Sequence, residues 1–247
     1  MENWNNLNRL LDENRKSVKR KEEEALQLIE CVQKNEKDKI KELLKSGASV
    51  NCFADNSTPL NSCIENDNYD LASYLLNVRA SISYRGSDDQ DDSLWYALKN
   101  KKSFFVGLFV SKRCILTLDN ETRLYPLIYS TIQTDLKSVE ELLKHYRINV
   151  NEKDGGGNTA LHHNVSKETP TQDDLEIGKL LIAAGADTNT RNLDGKTPEE
   201  AAVDFSSRAM LTSSKLEQSL EEKIDMVQDL EEKDPAISKT KSNKIKI

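Results

Sequence analysis

Apolar residues recur along this chain in a fixed order with a fixed period. A polar turn followed by an apolar helix start occurs at Thr58-Pro59-Leu60, Asp92-Ser93-Leu94, Tyr125-Pro126-Leu127, Thr159-Ala160-Leu161 and Thr197-Pro198-Glu199, so the first residues (58, 92, 125, 159, 197) lie 34, 33, 34 and 38 apart. Paired large apolar residues keep the same step: Leu43-Leu44, Leu75-Leu76, Leu108-Phe109, Leu142-Leu143 and Leu180-Leu181 are spaced by 32, 33, 34 and 38. A third marker closes several units: Gly47-Ala48-Ser49-Val50-Asn51, Arg79-Ala80-Ser81-Ile82-Ser83 and Gly185-Ala186-Asp187-Thr188-Asn189. Three markers sharing one period predict a repeat of helix pairs. Thr caps the free N–H groups of a helix start and Pro fits its first turn. Each helix carries one apolar stripe, such as Leu71, Leu75 and Leu76, which puts Leu76 in the expected core. A single pair cannot bury both of its stripes, so pairs must stack into a continuous core. The outlying spacing of 38 is assigned to a polar loop from Ser166 to Asp174, broken by Pro170.

The two ends depart from this pattern. Residues 1–24 are polar, with Trp4, Leu7, Leu11 and Val18 at helical spacing, and predict a helix packed weakly on the first unit. From residue 213 the repeat markers stop. Leu216, Leu220, Ile224, Val227 and Leu230 then mark an amphipathic helix rich in Glu and Asp, expected to cover the last unit as a cap. After Pro235 the residues are polar and basic (Lys239, Lys241, Lys244, Lys246) and too poor in apolar side chains to fold alone. The organisation expected is therefore an extension over 1–24, repeats over 25–212, and an acidic helix with a disordered tail over 213–247.

Composition narrows the function. A net charge of −7 with no basic stripe in the middle of the chain speaks against nucleic acid. No apolar run approaches the roughly 20 residues of a membrane span, and Met1 to Leu11 lacks the apolar segment of a secretory signal. Cys31, Cys52, Cys63 and Cys114 are widely spaced and read as free thiols of a reducing compartment.

The turn, the helix start, the paired leucines and the Gly-Ala-Asp-Thr-Asn close resemble the ankyrin repeat, most fully at Asn158-Thr159-Ala160-Leu161-His162 with Gly185 to Asn189. The resemblance covers roughly residues 25–205. It departs at Trp95 and Ile128, where the family has His, and in the first unit, which lacks the Thr-Pro turn. It implies an all-α ankyrin-repeat solenoid of stacked helix pairs joined by hairpin-like loops, with terminal helices. It also implies that His162 ties its turn to its helix by a hydrogen bond.

Catalysis finds little support. His145, His162 and His163 are the only histidines, and no nucleophile motif accompanies them. Gly155-Gly156-Gly157 lacks the spacing of a phosphate loop. Tandem histidines cannot share one helix face, which argues against zinc. No catalytic residue, metal site or cofactor is expected. For binding, the repeat alignment sets Ser62, Tyr96, Tyr129, His163 and Ala201 at one register, the residue after the family's His. Tyr96, Tyr129 and His163 would form a ladder of amphipathic rings on the concave face, the alternative being that they only pack between inner helices. Asp88, Asp89, Asp91 and Asp92 cluster at one hairpin, either as a solvated loop or to steer a basic partner, with Lys99, Lys101 and Lys102 near enough to neutralise part of the charge.

The function expected is a non-enzymatic, monomeric module that binds a protein partner through the concave face and hairpin tips, in the cytoplasm. The acidic block followed by a Ser/Lys/Thr tail resembles the export signal of Dot/Icm-type type IV secreted effectors, which act inside a host cell. Alternatives are an endogenous or viral regulatory scaffold, and an enzyme with its site in the concave groove.

Overall fold

The computed structural model describes residues 2–86, 91–112, 124–145 and 147–233, and the chain divides into two compact units, residues 1–149 and 150–247. Among the described residues the regular structure is helical, apart from one isolated bridge between Ala54 and Ser57. The first unit holds α1 (Glu2–Gln33), α2 (Lys37–Lys45), α3 (Pro59–Glu65), α4 (Tyr69–Asn77), α5 (Ser93–Lys99), α6 (Ser103–Ser111), α7 (Pro126–Ile132) and α8 (Leu136–Leu143). The second holds α9 (Ala160–Val165), α10 (Gln172–Ala183), α11 (Pro198–Ala201) and α12 (Phe205–Lys233).

Most of these helices are too short to persist alone. Their ends are fixed locally and their faces are buried by neighbours. Thr58 accepts from the Asn61 amide at 3.1 Å, Asp92 from the Trp95 amide at 3.0 Å, and Asn68 from the Leu71 amide at 3.1 Å. Thr159, Thr171 and Thr197 form reciprocal capping boxes with His162, Asp174 and Glu200. In the first unit α1, α3, α5 and α7 touch in succession, as do α4, α6 and α8; in the second α9 touches α11 and α10 touches α12. Stacking in chain order follows, as the period requires. The turn between the helices of a pair repeats one conformation: Asn35, Asp67, Lys101 and Thr134 all have φ between 50° and 56°.

Polar bonds join each repeat to the next. The Asn51 side-chain amide donates to the Arg79 carbonyl at 3.3 Å and accepts from the Ser81 amide at 2.7 Å. Asn151 makes the same pair of bonds in the second unit, to the Gly185 carbonyl at 3.1 Å and from the Asp187 amide at 2.7 Å. The closing Asn of the repeat is thus a two-pronged clamp on its successor. Gly47 and Gly185 take φ of 105° and 88° at the helix ends, and Arg79 fills the equivalent place at 71° without the freedom of glycine.

Several expectations are corrected. Leu75 is fully buried, whereas Leu76 is only half-buried, because successive helix positions point about 100° apart and the stripe runs through Leu71, Ala72 and Leu75. Residues 1–24 are not a separate helix: α1 runs unbroken through residue 24 into the buried Ala25, Leu28, Ile29 and Val32 of the first pair. The polar segment from Ser166 ends at Thr171. Asp174 is the buried third residue of α10, so part of the longer spacing is taken up by a 12-residue helix. Likewise α12 begins at Phe205 and crosses residue 213 without a break. Its first turns pack, with Ser207, Met210 and Leu211 buried, and Gly178 of α10 allows the close approach, since a Cβ there would meet Met210 Sδ and Asn164 Oδ1. Beyond them Leu216, Leu220 and Ile224 are 62%, 50% and 55% exposed, so they cover nothing and the expected cap is not formed by them. The basic tail lies outside the described residues.

Candidate functional site

Each ring of the expected ladder is half-buried on the first helix of its pair; Tyr96 and Tyr129 are held by the preceding helix pair and His163 by the turn before its own helix. Tyr96 on α5 donates its hydroxyl to Glu65 Oε1 at 3.0 Å. Burial, and then the Glu65 carboxylate that accepts this bond, push the phenol up to about 12, so it stays a donor at neutral pH. Tyr129 on α7 meets the buried Trp95 edge-on, with centroids 5.4 Å apart and planes at 81°. Trp95, which stands where the resemblance would place His, is therefore a core anchor beneath Tyr129.

In the second unit His163 Nε2 lies 2.6 Å from Asp154 Oδ2, and Asp154 Oδ1 accepts from the Gly156 and Asn158 amides at 2.9 and 2.8 Å. Burial alone would raise the Asp154 carboxyl, but the His163 ring and the two amides outweigh it and hold the carboxyl below its ordinary value. The Gly155–Gly157 segment is thus a turn organised by Asp154. His162 is buried, meets Thr159 Oγ1 at 2.9 Å through Nδ1 and the Lys196 carbonyl at 3.1 Å through Nε2. That is the turn-to-helix tie the resemblance implies, extended to the next repeat. Burial lowers its pKa and keeps the ring neutral.

The acidic hairpin is reinterpreted. Asp88 and Asp89 lie outside the described residues. Asp91 pairs with the Lys99 ammonium at 3.0 Å. Asp92 is 2% exposed, caps α5 and faces Arg85 at 3.8 Å, so it serves the fold and offers nothing to a partner.

Sequence reasoning missed a surface beside α6. Phe105, Val106, Leu108, Phe109 and Val110 of that helix are buried, but Phe104 is 79% exposed. It borders a groove of about 560 Å³ lined also by Asp67, Tyr69, Lys101, Lys102 and Lys137. Tyr69 is itself 44% exposed and lies 6.2 Å from the Phe105 ring. Lys102 spans to Asp67 at 2.6 Å, pinning one wall to the preceding repeat. The signal was the Phe104-Phe105 doublet at the helix start: neighbouring helical positions point about 100° apart, and here the direction of Phe105 is covered while that of Phe104 is left open.

Cys31, Cys52 and Cys63 are buried free thiols, and burial raises the pKa of all three, Cys52 to about 11 and Cys63 to about 12. They are inert at neutral pH. Among the described residues no group of three His, Cys, Asp or Glu could hold a metal ion, and no helix is long and apolar enough to cross a membrane.

Residues 94–192 match the family model for ankyrin repeats in three copies. Over 161 residues the chain is 26% identical to a putative ankyrin repeat protein of Acanthamoeba polyphaga mimivirus, covering 63% of this chain and 20% of that one. A putative ankyrin repeat protein of Rickettsia bellii is 27% identical over 124 residues, covering 48% and 68%. An intracellular phospholipase A2 of Caenorhabditis elegans is 34% identical over 85 residues, 34% of this chain and 8% of that one. The chain thus spans a fifth or less of two of these relatives. Among solved structures, an ankyrin repeat domain of Acinetobacter baumannii superposes with a TM-score of 0.63 at 22% identity, covering 76% of this chain and 96% of that one. A chain in the complex of a Bdellovibrio bacteriovorus predatory endopeptidase with an immunity protein gives 0.57 at 19%, covering 75% and 96%.

Proposed function

We propose that this chain, all-α and built of ankyrin repeats, is a non-enzymatic module that binds a protein partner, with the groove beside Phe104 as its principal anchor and the half-exposed Tyr96 and Tyr129 as a second contact. The observation that carries this reading is Phe104 itself. A phenylalanine left in water at the start of an otherwise buried helix, beside an exposed tyrosine, supplies the aromatic anchor of an interface centre, and the three lysines around it supply a polar rim. With Asp91 paired and Asp92 buried, the described residues of this hairpin lend no support to a basic partner. Lys101, Lys102 and Lys137 against Asp67 and Asp135 suit an apolar side chain flanked by a carboxylate.

The tyrosines suit the second role because their intramolecular bonds fix them before a partner arrives, which lowers the ordering cost of binding. The test is capture of cross-linked partners from cell extract by the wild type, Phe104→Ala and Tyr96→Ala, followed by titration of whatever protein is captured. Phe104→Ala should weaken binding by more than about 1 kcal/mol with an unchanged melting curve. Equal affinity of wild type and Phe104→Ala removes the groove from the site. A second reading, delivery into a host cell, is supported by the acidic block and lysine-rich tail of the sequence, and is tested separately by tail deletion.

A further inference from the structure

Two helices of this chain extend past their own packing and leave apolar residues in water. On α1 residues 9–24 are largely exposed, with Leu10, Leu11 and Val18 at 57%, 46% and 49%. On α12 the stretch after Leu211 exposes Leu216, Leu220, Ile224 and Met226 at 50–62%. In both, the sequence spaces apolar positions three, four or seven residues apart (Trp4, Leu7, Leu11, Val18; Leu216, Leu220, Ile224, Val227), the heptad-compatible spacing of a helix that seats on another helix.

The flanking charges are opposite. From Arg9 to Lys21 the chain has six basic residues (Arg9, Arg15, Lys16, Lys19, Arg20, Lys21) against Asp12 and Glu13; Glu22, Glu23 and Glu24 follow, and Arg9 and Arg20 pair along the helix with Glu13 and Glu24, which leaves Arg15, Lys16, Lys19 and Lys21 as the basic centre of the stretch. From Leu216 to Lys233 it has seven acidic residues (Glu217, Glu221, Glu222, Asp225, Asp229, Glu231, Glu232) against Lys223 and Lys233. Two copies of the acidic α12 stretch would repel, and so would two copies of the 9–21 stretch laid side by side in register. One of each would attract while covering both apolar stripes, which is how charge patterns select partners in helix pairing.

We propose that the chain self-associates, the basic stretch of α1 in one copy pairing with the acidic stretch of α12 in a second copy. The contact is heterologous, so two copies can close on each other by exchanging both pairings, or add in line. This goes against the monomer expected from sequence, and it is independent of the Phe104 groove.

Sedimentation of the full chain across micromolar to millimolar concentration tests it, with three preparations. The wild type should associate, and more weakly as salt screens the flanking charges. Lys16→Glu with Lys19→Glu should raise the dissociation constant at least about tenfold, and Glu217→Lys with Glu221→Lys should do the same. Mixing the two reversed variants should restore association, because each then offers the charge the other lacks. Restoration also shows that neither variant has merely failed to fold. A wild type that stays monomeric at every concentration overturns the proposal, and so does association indifferent to both reversals. A monomer whose α12 instead captures a synthetic basic amphipathic helix of unrelated sequence assigns this face to a foreign partner and likewise overturns it.

Discussion

Leu75 and Leu76 are neighbours in sequence with the same side chain, and the structure gives them different work. Leu75 is fully buried on α4, and Leu76 is half-buried. Replacing Leu75 by Ala removes three carbons from a site without water. At about 0.8 kcal/mol per buried methylene the transfer term alone is about 2.4 kcal/mol. A residual cavity adds to it, because α4 is held on one side by α3 and on the other by α6 and collapses incompletely, which places the loss at about 2–5 kcal/mol. Leu76→Ala removes the same atoms from a site already part-hydrated, with no enclosed cavity, and should cost about 1 kcal/mol. Urea titration followed by circular dichroism measures both, provided each variant keeps the wild-type slope. Repeat arrays can unfold in parts, so the midpoint should also be read from Trp95 fluorescence in a Trp4→Phe background, which removes the second tryptophan. Equal losses in the two variants, or a larger one for Leu76→Ala, would refute the assignment of the α4 core stripe.

Arg79→Gly should stabilise the first unit by up to about 1 kcal/mol, since it relieves a left-handed residue at the position where Gly47 and Gly185 serve elsewhere; thermal melting checks it. Asp154 has a folded pKa below its ordinary 3.8, so its contribution is present above that value and is lost as pH falls through the folded pKa. Asp154→Asn should therefore be less stable than wild type at neutral pH, with the difference shrinking in acid when the two are titrated side by side. Deleting 236–247 should leave melting unchanged and abolish delivery in a reporter translocation assay; unchanged delivery would sink the export reading.

The period was legible because every repeat must meet its neighbour through the same positions, which imposes the Thr caps, the leucine pairs and the closing Asn at one spacing. The role of His162 was legible through the resemblance to the ankyrin repeat, which implies its turn-to-helix bond; the period alone does not, since Trp95 and Ile128 hold the same position in other repeats. What escaped were features that depend on which of two adjacent residues faces a neighbour. Leu75-Leu76 and Phe104-Phe105 each contain one core and one outward residue, and hydrophobicity alone cannot order them. The acidic run misled differently. Asp91 and Asp92 look alike in sequence, yet one is balanced by Lys99 and the other is consumed as a helix cap, a distinction set by the backbone path after Arg85. Positions 24 and 212 lie inside α1 and α12, because the helical pattern continues where the repeat markers stop.

The clamps of Asn51 and Asn151 reach forward by a single repeat, and this sets how the chain responds to force. With bonds reaching one repeat along the sequence, a repeat can be pulled away without unfastening any other beyond its neighbours. Stretched in an optical trap, the array should lengthen in discrete steps as successive repeats let go. Each freed unit of 33 or 34 residues adds on the order of 100 Å of chain. The unit carrying the Ser166–Thr171 loop should give the longest step, a calliper reading of its extra residues taken without any view of the fold.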